Sequence, residues 1–204
     1  VIGTGGLTWS DVSEKATPNL WALLRDGSAG AMSIRSVHTN TCPVDGWLGL
    51  SAGARAAASR GGGSTSDPCP DLPAVPAEAT GGPVTVPGWS AHLASASKAD
   101  FGSVLGTIGQ AAKAGGQCIS AVGPGAGIAA ARADGSVDRW TGWSADGLVR
   151  ALNSCPISIV DVGSLREDVA KGETAPSGSR AQQLTEIDDR VGLAVAAAPG
   201  GADV

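Results

Sequence analysis

Apolar and polar positions follow two rhythms along this chain. Short apolar or alternating runs predict strands at 1–4, 32–37, 118–122 and 156–160. Longer runs with apolar residues three and four apart predict helices. The first opens at Thr17-Pro18, buries Leu20, Leu23 and Leu24, and stops at Asp26-Gly27. The second covers 45–58 with Trp47, Leu48 and Leu50, and the third covers 101–114 with Phe101, Val104, Leu105 and Ile108. Two more cover 145–152 and 179–198, the last with Leu184, Ile187, Val191 and Val195 on one face. Residues 127–133 form a further short apolar element, and 61–88, rich in Gly, Pro, Ser and Asp, reads as an irregular insertion.

Strands that alternate with helices predict an α/β fold, a parallel-rich sheet flanked by helices as an α/β/α sandwich. The whole of 1–204 reads as one such domain, cut from a longer chain, with the sheet incomplete at its C-terminal end. Ligands of such sheets gather at the carboxyl ends of the strands. Those ends are Thr4/Gly5, His38 to Thr41, Gly123 to Gly125, and Asp161.

Composition narrows the function classes. The net charge is −5 and no basic run occurs, so the electrostatic footprint of a nucleic-acid binder is missing. No stretch approaches the roughly 20 apolar residues of a membrane span. The four cysteines (Cys42, Cys69, Cys118, Cys155) lie far apart, without the spacing of a zinc site. They are either buried thiols or two disulfides of an oxidising, extracytoplasmic compartment. Cys118 and Cys155 each stand at a predicted strand start, where neighbouring parallel strands would bring them together. Cys42 and Cys69 would then close the other loop.

Several features could carry chemistry. Thr41 precedes Cys42-Pro43 at a helix start, where free N–H groups can stabilise an oxyanion and a hydroxyl can act as nucleophile; simple capping by Thr41 or Asp45 is the plain alternative. His38, three residues earlier, is a conceivable base or a surface histidine, and His92 has no evident partner. Gly123 to Gly127 could cradle an anion or make a tight turn, but it lacks the Lys and Ser/Thr of a P-loop. Trp140 and Trp143 could line a glycan or lipid-headgroup groove, or pack a loop.

The order of these segments resembles the front end of the alkaline-phosphatase superfamily, which includes sulfatases and nucleotide pyrophosphatase/phosphodiesterases. Thr17-Pro18-Asn19-Leu20 matches its "TPNLDxLxxxG" helix, Thr41-Cys42-Pro43 its nucleophile before a proline, and Leu48 to Gly53 its "LLTG" helix end. Ile187-Asp188-Asp189-Arg190-Val191-Gly192 matches its "iDxxvG" helix. The resemblance spans 17–53, 101–125, 156–161 and 184–192, and extends to actinobacterial envelope proteins of that superfamily. It implies Thr41 as nucleophile, Asp161 as a metal-ligating carboxylate, a divalent metal such as zinc, and a phosphoester or an envelope component as ligand of an exported, membrane-tethered protein. Departures go with it. No carboxylate stands near Gly5, where a first-strand ligand belongs; Asp11 comes several residues late. Ser164-Leu165 follow Gly163, where the family places a histidine. Either a phosphatase or phosphodiesterase-like domain or an inactive scaffold kept for binding or assembly is therefore expected.

Overall fold

The computed structural model describes residues 1–30, 36–38, 40–60, 69–77, 83–99, 101–166, 178–200 and 202–203. Its centre is a four-stranded parallel sheet in the order β1-β6-β3-β5, formed by β1 (Ile2–Gly5), β3 (Ile119–Val122), β5 (Arg139–Thr141) and β6 (Ile157–Ser164). A separate antiparallel pair joins β2 (Val84–Thr85) to β4 (Ser136–Val137). Seven α-helices are found among the described residues: α1 (Pro18–Asp26), α2 (Pro43–Ala52), α3 (Trp89–Lys98), α4 (Thr107–Ala114), α5 (Pro124–Ala130), α6 (Ala145–Leu152) and α7 (Arg180–Ala197).

Alternation along the strands builds two cores. Ile119, Ala121 and Ile159 face a cluster with residues of α2, α3 and α5, including Val44, Leu48, Trp89 and Ile128. Val122, Val160 and Val162 face the opposite layer, where α6 and α7 contribute Leu148, Ala151, Ile187 and Val191 and α1 adds Leu20 and Leu23. The α/β class and the helices on both faces thus match the expectation.

Tryptophans peg the first layer, each against a glycine. Trp47 of α2 lies between β1 and α5. A Cβ at Gly3 would stand 2.3 Å, and one at Gly125 2.0 Å, from its ring. Trp140 occupies the same kind of slot at Gly127 and donates its indole N–H to the Gly123 carbonyl at 2.8 Å. It is 1% exposed, so it cannot line a binding groove.

Two pieces of the family-like pattern meet on the second layer. Thr17 holds the N-cap position of α1, but its hydroxyl turns back to Asp11 and Ser13. The cap comes instead from Asp188 of α7. Its carboxylate accepts from the backbone N–H groups of Asn19 (3.1 Å) and Leu20 (2.9 Å) and from Asn19 Nδ2 (2.9 Å). Gly192, one turn along α7, lets Asn19 approach: a Cβ there would lie 2.5 Å from Asn19 Oδ1.

Some boundaries differ from expectation. α2 begins at Pro43 and ends at Ala52, where Gly53 adopts the left-handed conformation (φ 63°) that stops a helix; 54–58 is irregular. The predicted helix over 101–114 begins only at Thr107, after Gly106 at φ 86°. Phe101 and Val104 are exposed, and Arg55 stacks over the Phe101 ring. Gly123 to Gly127, read as a turn, opens α5. Helix α3 has no counterpart in the sequence reading. β6 continues past Asp161 to Ser164 through a bulge at Gly163 (φ 102°). The predicted strand over 32–37 falls mainly outside the described residues.

Candidate functional site

The carboxyl ends of β1 and β6 open into a cleft of about 550 Å³. β1 supplies Gly3 to Gly5, followed by Gly6. β6 supplies Asp161, Gly163 and Ser164, followed by Leu165 and Arg166. The start of α2 supplies Thr41, Cys42, Pro43, Gly46, Trp47 and Leu50 opposite them, and Cys69 and Leu72 close the side. The two residues singled out for chemistry, Thr41 and Asp161, therefore line one cavity. The apolar part of the lining was not foreseen; the Trp47 periodicity and the cysteine pairing were the only signals for it.

Thr41 is exposed and stands one residue before the N-cap, Cys42. Most of the polar backbone groups at the helix start behind it are already engaged. Pro43 has no N–H. The Cys42 N–H is taken by Asp45 Oδ2 (2.9 Å), and the N–H groups of Asp45 and Gly46 turn to the Cys42 carbonyl (2.9 and 3.3 Å). Asp45 thus caps α2, and its negative charge stands at the helix start. Its carboxylate also accepts from the Ala58 N–H (2.9 Å) and pairs with Arg60 (3.0 Å), both side chains being almost fully buried. Such a pair is an expensive arrangement to break and a weak source of net stability. It anchors the irregular 54–60 stretch beneath α2.

Asp161 is 3% exposed and spends both oxygens on backbone. Oδ2 accepts from the Gly125 N–H at 2.7 Å, in the first turn of α5, and Oδ1 accepts from the Gly163 N–H at 2.9 Å. The anion that the glycine turn cradles is thus the chain's own. Burial raises the Asp161 carboxyl above its ordinary value; the Gly163 and Gly125 amides and the Arg190 charge pull it partly back. Trp143 donates its indole N–H to the Asp161 carbonyl and carries Arg190 over its ring at 5.0 Å. Its place is beneath the site, in a structural contact.

The place of a first-strand carboxylate is closed by packing. A Cβ at Gly3 strikes Trp47, one at Gly5 meets Ser164 Cβ at 3.2 Å, and one at Gly6 (φ 74°) lies 2.4 Å from the Leu165 carbonyl oxygen. Among the described residues no three His, Cys, Asp or Glu side chains gather into a ligand set. These donors do not fit the two-metal site that the resemblance implies.

The histidines lie outside the cleft lining. His38 points Nε2 at the Ala58 carbonyl (3.4 Å). His92 meets Trp89 edge-on, and burial lowers its pKa.

Both cysteine pairs form disulfides, Cys42–Cys69 and Cys118–Cys155, as the preferred pairing anticipates. They fit an oxidising, extracytoplasmic environment. Among the described residues no helix is long and apolar enough to cross a membrane. No family model, curated protein or solved structure matches the chain.

Proposed function

We propose that the chain is a phosphatase/phosphodiesterase-like domain of an exported, envelope-associated protein, with its metal centre lost and its cleft retained for binding. The observation that carries this reading is the state of Asp161. Its two oxygens hold α5 and the Gly163 bulge and the residue is 3% exposed, so the carboxylate serves the backbone and offers the cleft little surface for a metal. The cleft lining is suited to a small molecule of mixed character: Trp47, Leu50 and Leu72 are apolar, and Thr41 and Ser164 offer hydroxyls. A phosphorylated or polyhydroxylated envelope component is the ligand class this reading names.

The hydrolase reading keeps one supporting observation. Thr41 is exposed at the lip of the cleft that holds Asp161. One assay separates the two. Purified protein is offered phosphate mono- and diesters with zinc, manganese or magnesium, beside Thr41→Ala. The expected result is no turnover above the Thr41→Ala background, with sugar phosphates or glycerophosphodiesters raising Tm in a manner that Leu72→Arg abolishes. Metal-dependent turnover that Thr41→Ala removes would restore the enzyme.

A further inference from the structure

The cleft has two unlike walls. One is the β1–β6 edge, fixed by a parallel ladder that pairs Ile2 with Val160 and Gly3 with Asp161. The other is the segment 69–77, which brings Cys69 and Leu72 into the lining and contains neither helix nor strand. Cys69, Leu72 and Val75 pack on the first core cluster only as partly buried residues. One covalent tie fastens this wall, the bond from Cys69 to Cys42, with Cα atoms 5.5 Å apart and a sequence separation of 27. Its other end is rigid. Cys42 is the N-cap of α2, 1% exposed, with its N–H given to Asp45 and its carbonyl taken by the Asp45 and Gly46 N–H groups.

The second disulfide has a different setting. Cys118 directly precedes β3 and Cys155 stands two residues before β6, strands that the ladder from Ile119↔Ile157 to Val122↔Val160 already fixes. Cutting it leaves the strands paired.

We propose that Cys42–Cys69 is a redox-operated strap on the cleft. Oxidised, it holds the 69–77 wall against Trp47 and Leu50; reduced, it lets that wall move away and the cleft open. This rests on the reading of the cleft as a binding site. The reductant is a dithiol. One thiolate attacks a sulfur of the pair, the S–S bond breaks, and a mixed disulfide forms. The second thiol of the dithiol displaces the remaining cysteine, so that two electrons and two protons pass to Cys42 and Cys69 and the dithiol leaves as a disulfide.

Hydrogen exchange of the full chain, read peptide by peptide, tests this. In Cys42→Ser/Cys69→Ser, exchange in 69–77 becomes faster by on the order of tenfold while 119–122 stays protected. In Cys118→Ser/Cys155→Ser, 69–77 keeps its wild-type rate. An unchanged 69–77 in the first variant, or equal loosening in both, overturns the strap. Should a variant fail to fold, the folded wild type is reduced with a dithiol, its thiols are trapped with maleimide, and the same peptides are compared. Tm shifts with sugar phosphates are measured alongside. Loosening of the wall with no shift in any form keeps the strap and removes the binding reading; a shift with an immobile wall does the reverse.

Discussion

The junction of α1 with α7 and the junction of β6 with α5 are built alike. In each, a buried aspartate from a distant element caps the start of a helix: Asp188 for α1, Asp161 for α5. Their burial is nearly equal, at 2% and 3%. The surroundings differ. Asp188 is enclosed between two helices. Asp161 borders a cleft and shares its second oxygen with a strand bulge. Position beside a cavity makes an aspartate look functional; backbone hydrogen bonds on both oxygens mark one that also holds the fold together.

Breaking the first junction has the largest expected effect. Asp188→Ala leaves the Asn19 and Leu20 amides without their acceptor, at a cost of about 3 kcal/mol in chemical denaturation. A double-mutant cycle with Asn19→Ala would return a sizeable coupling, and strict additivity would remove the junction from the account. At the second junction, Gly125→Ala drives a methyl into Trp47 and costs about 2 kcal/mol. Near-UV circular dichroism of the tryptophans reports whether that ring has moved.

Asp161→Asn sharpens the comparison through pH. Burial holds the folded carboxyl above its ordinary 3.8. The native state then binds this proton more tightly than the unfolded chain does. Its contribution to stability is therefore full below about 4 and is lost as pH rises through the folded value. Asp161→Asn removes that slope, and at neutral pH it sets an amide donor against a backbone donor, costing about 1–2 kcal/mol. Denaturation midpoints from pH 3 to pH 7 check both; parallel curves for the two proteins would contradict the assignment.

The smallest effect belongs to Gly192→Ala. The added methyl displaces the end of Asn19, but alanine in a helix interior gains about 1 kcal/mol over glycine. A net change within about 0.5 kcal/mol is expected, seen as an unchanged midpoint beside a weakened Asn19–Asp188 coupling.

Elements whose own residues define them were legible in the sequence. α6 carries Ser144 as a working cap, α7 carries Ser179 and Gln182 as a capping box, and both fall where the pattern places them. The disulfide pairing followed from strand starts. Elements defined by a partner were not legible. α5 is built mostly of Gly and Ala around Ile128, and Trp47 and Trp140 occupy the space that Gly125 and Gly127 leave open. α3 depends on Trp89, whose indole reaches the Ala133 carbonyl. Thr41 and Asp161 could be named in advance, because each ends a pattern. The closure of Asp161 by two amides could not, since Gly125 lies 36 positions away.

The parallel pairing of β1 with β6 also sets an order of events. Ile2–Gly5 has its strand partner in Ile157–Ser164, and the α1 cap arrives from a residue 169 positions after Asn19. A chain emerging with its first residues leading must carry an unpaired strand and an uncapped helix until most of the rest has followed. Closure of such distant contacts is slow and leaves apolar edges open meanwhile. Until then the backbone donors of β1 and of the α1 start stay open to wrong partners.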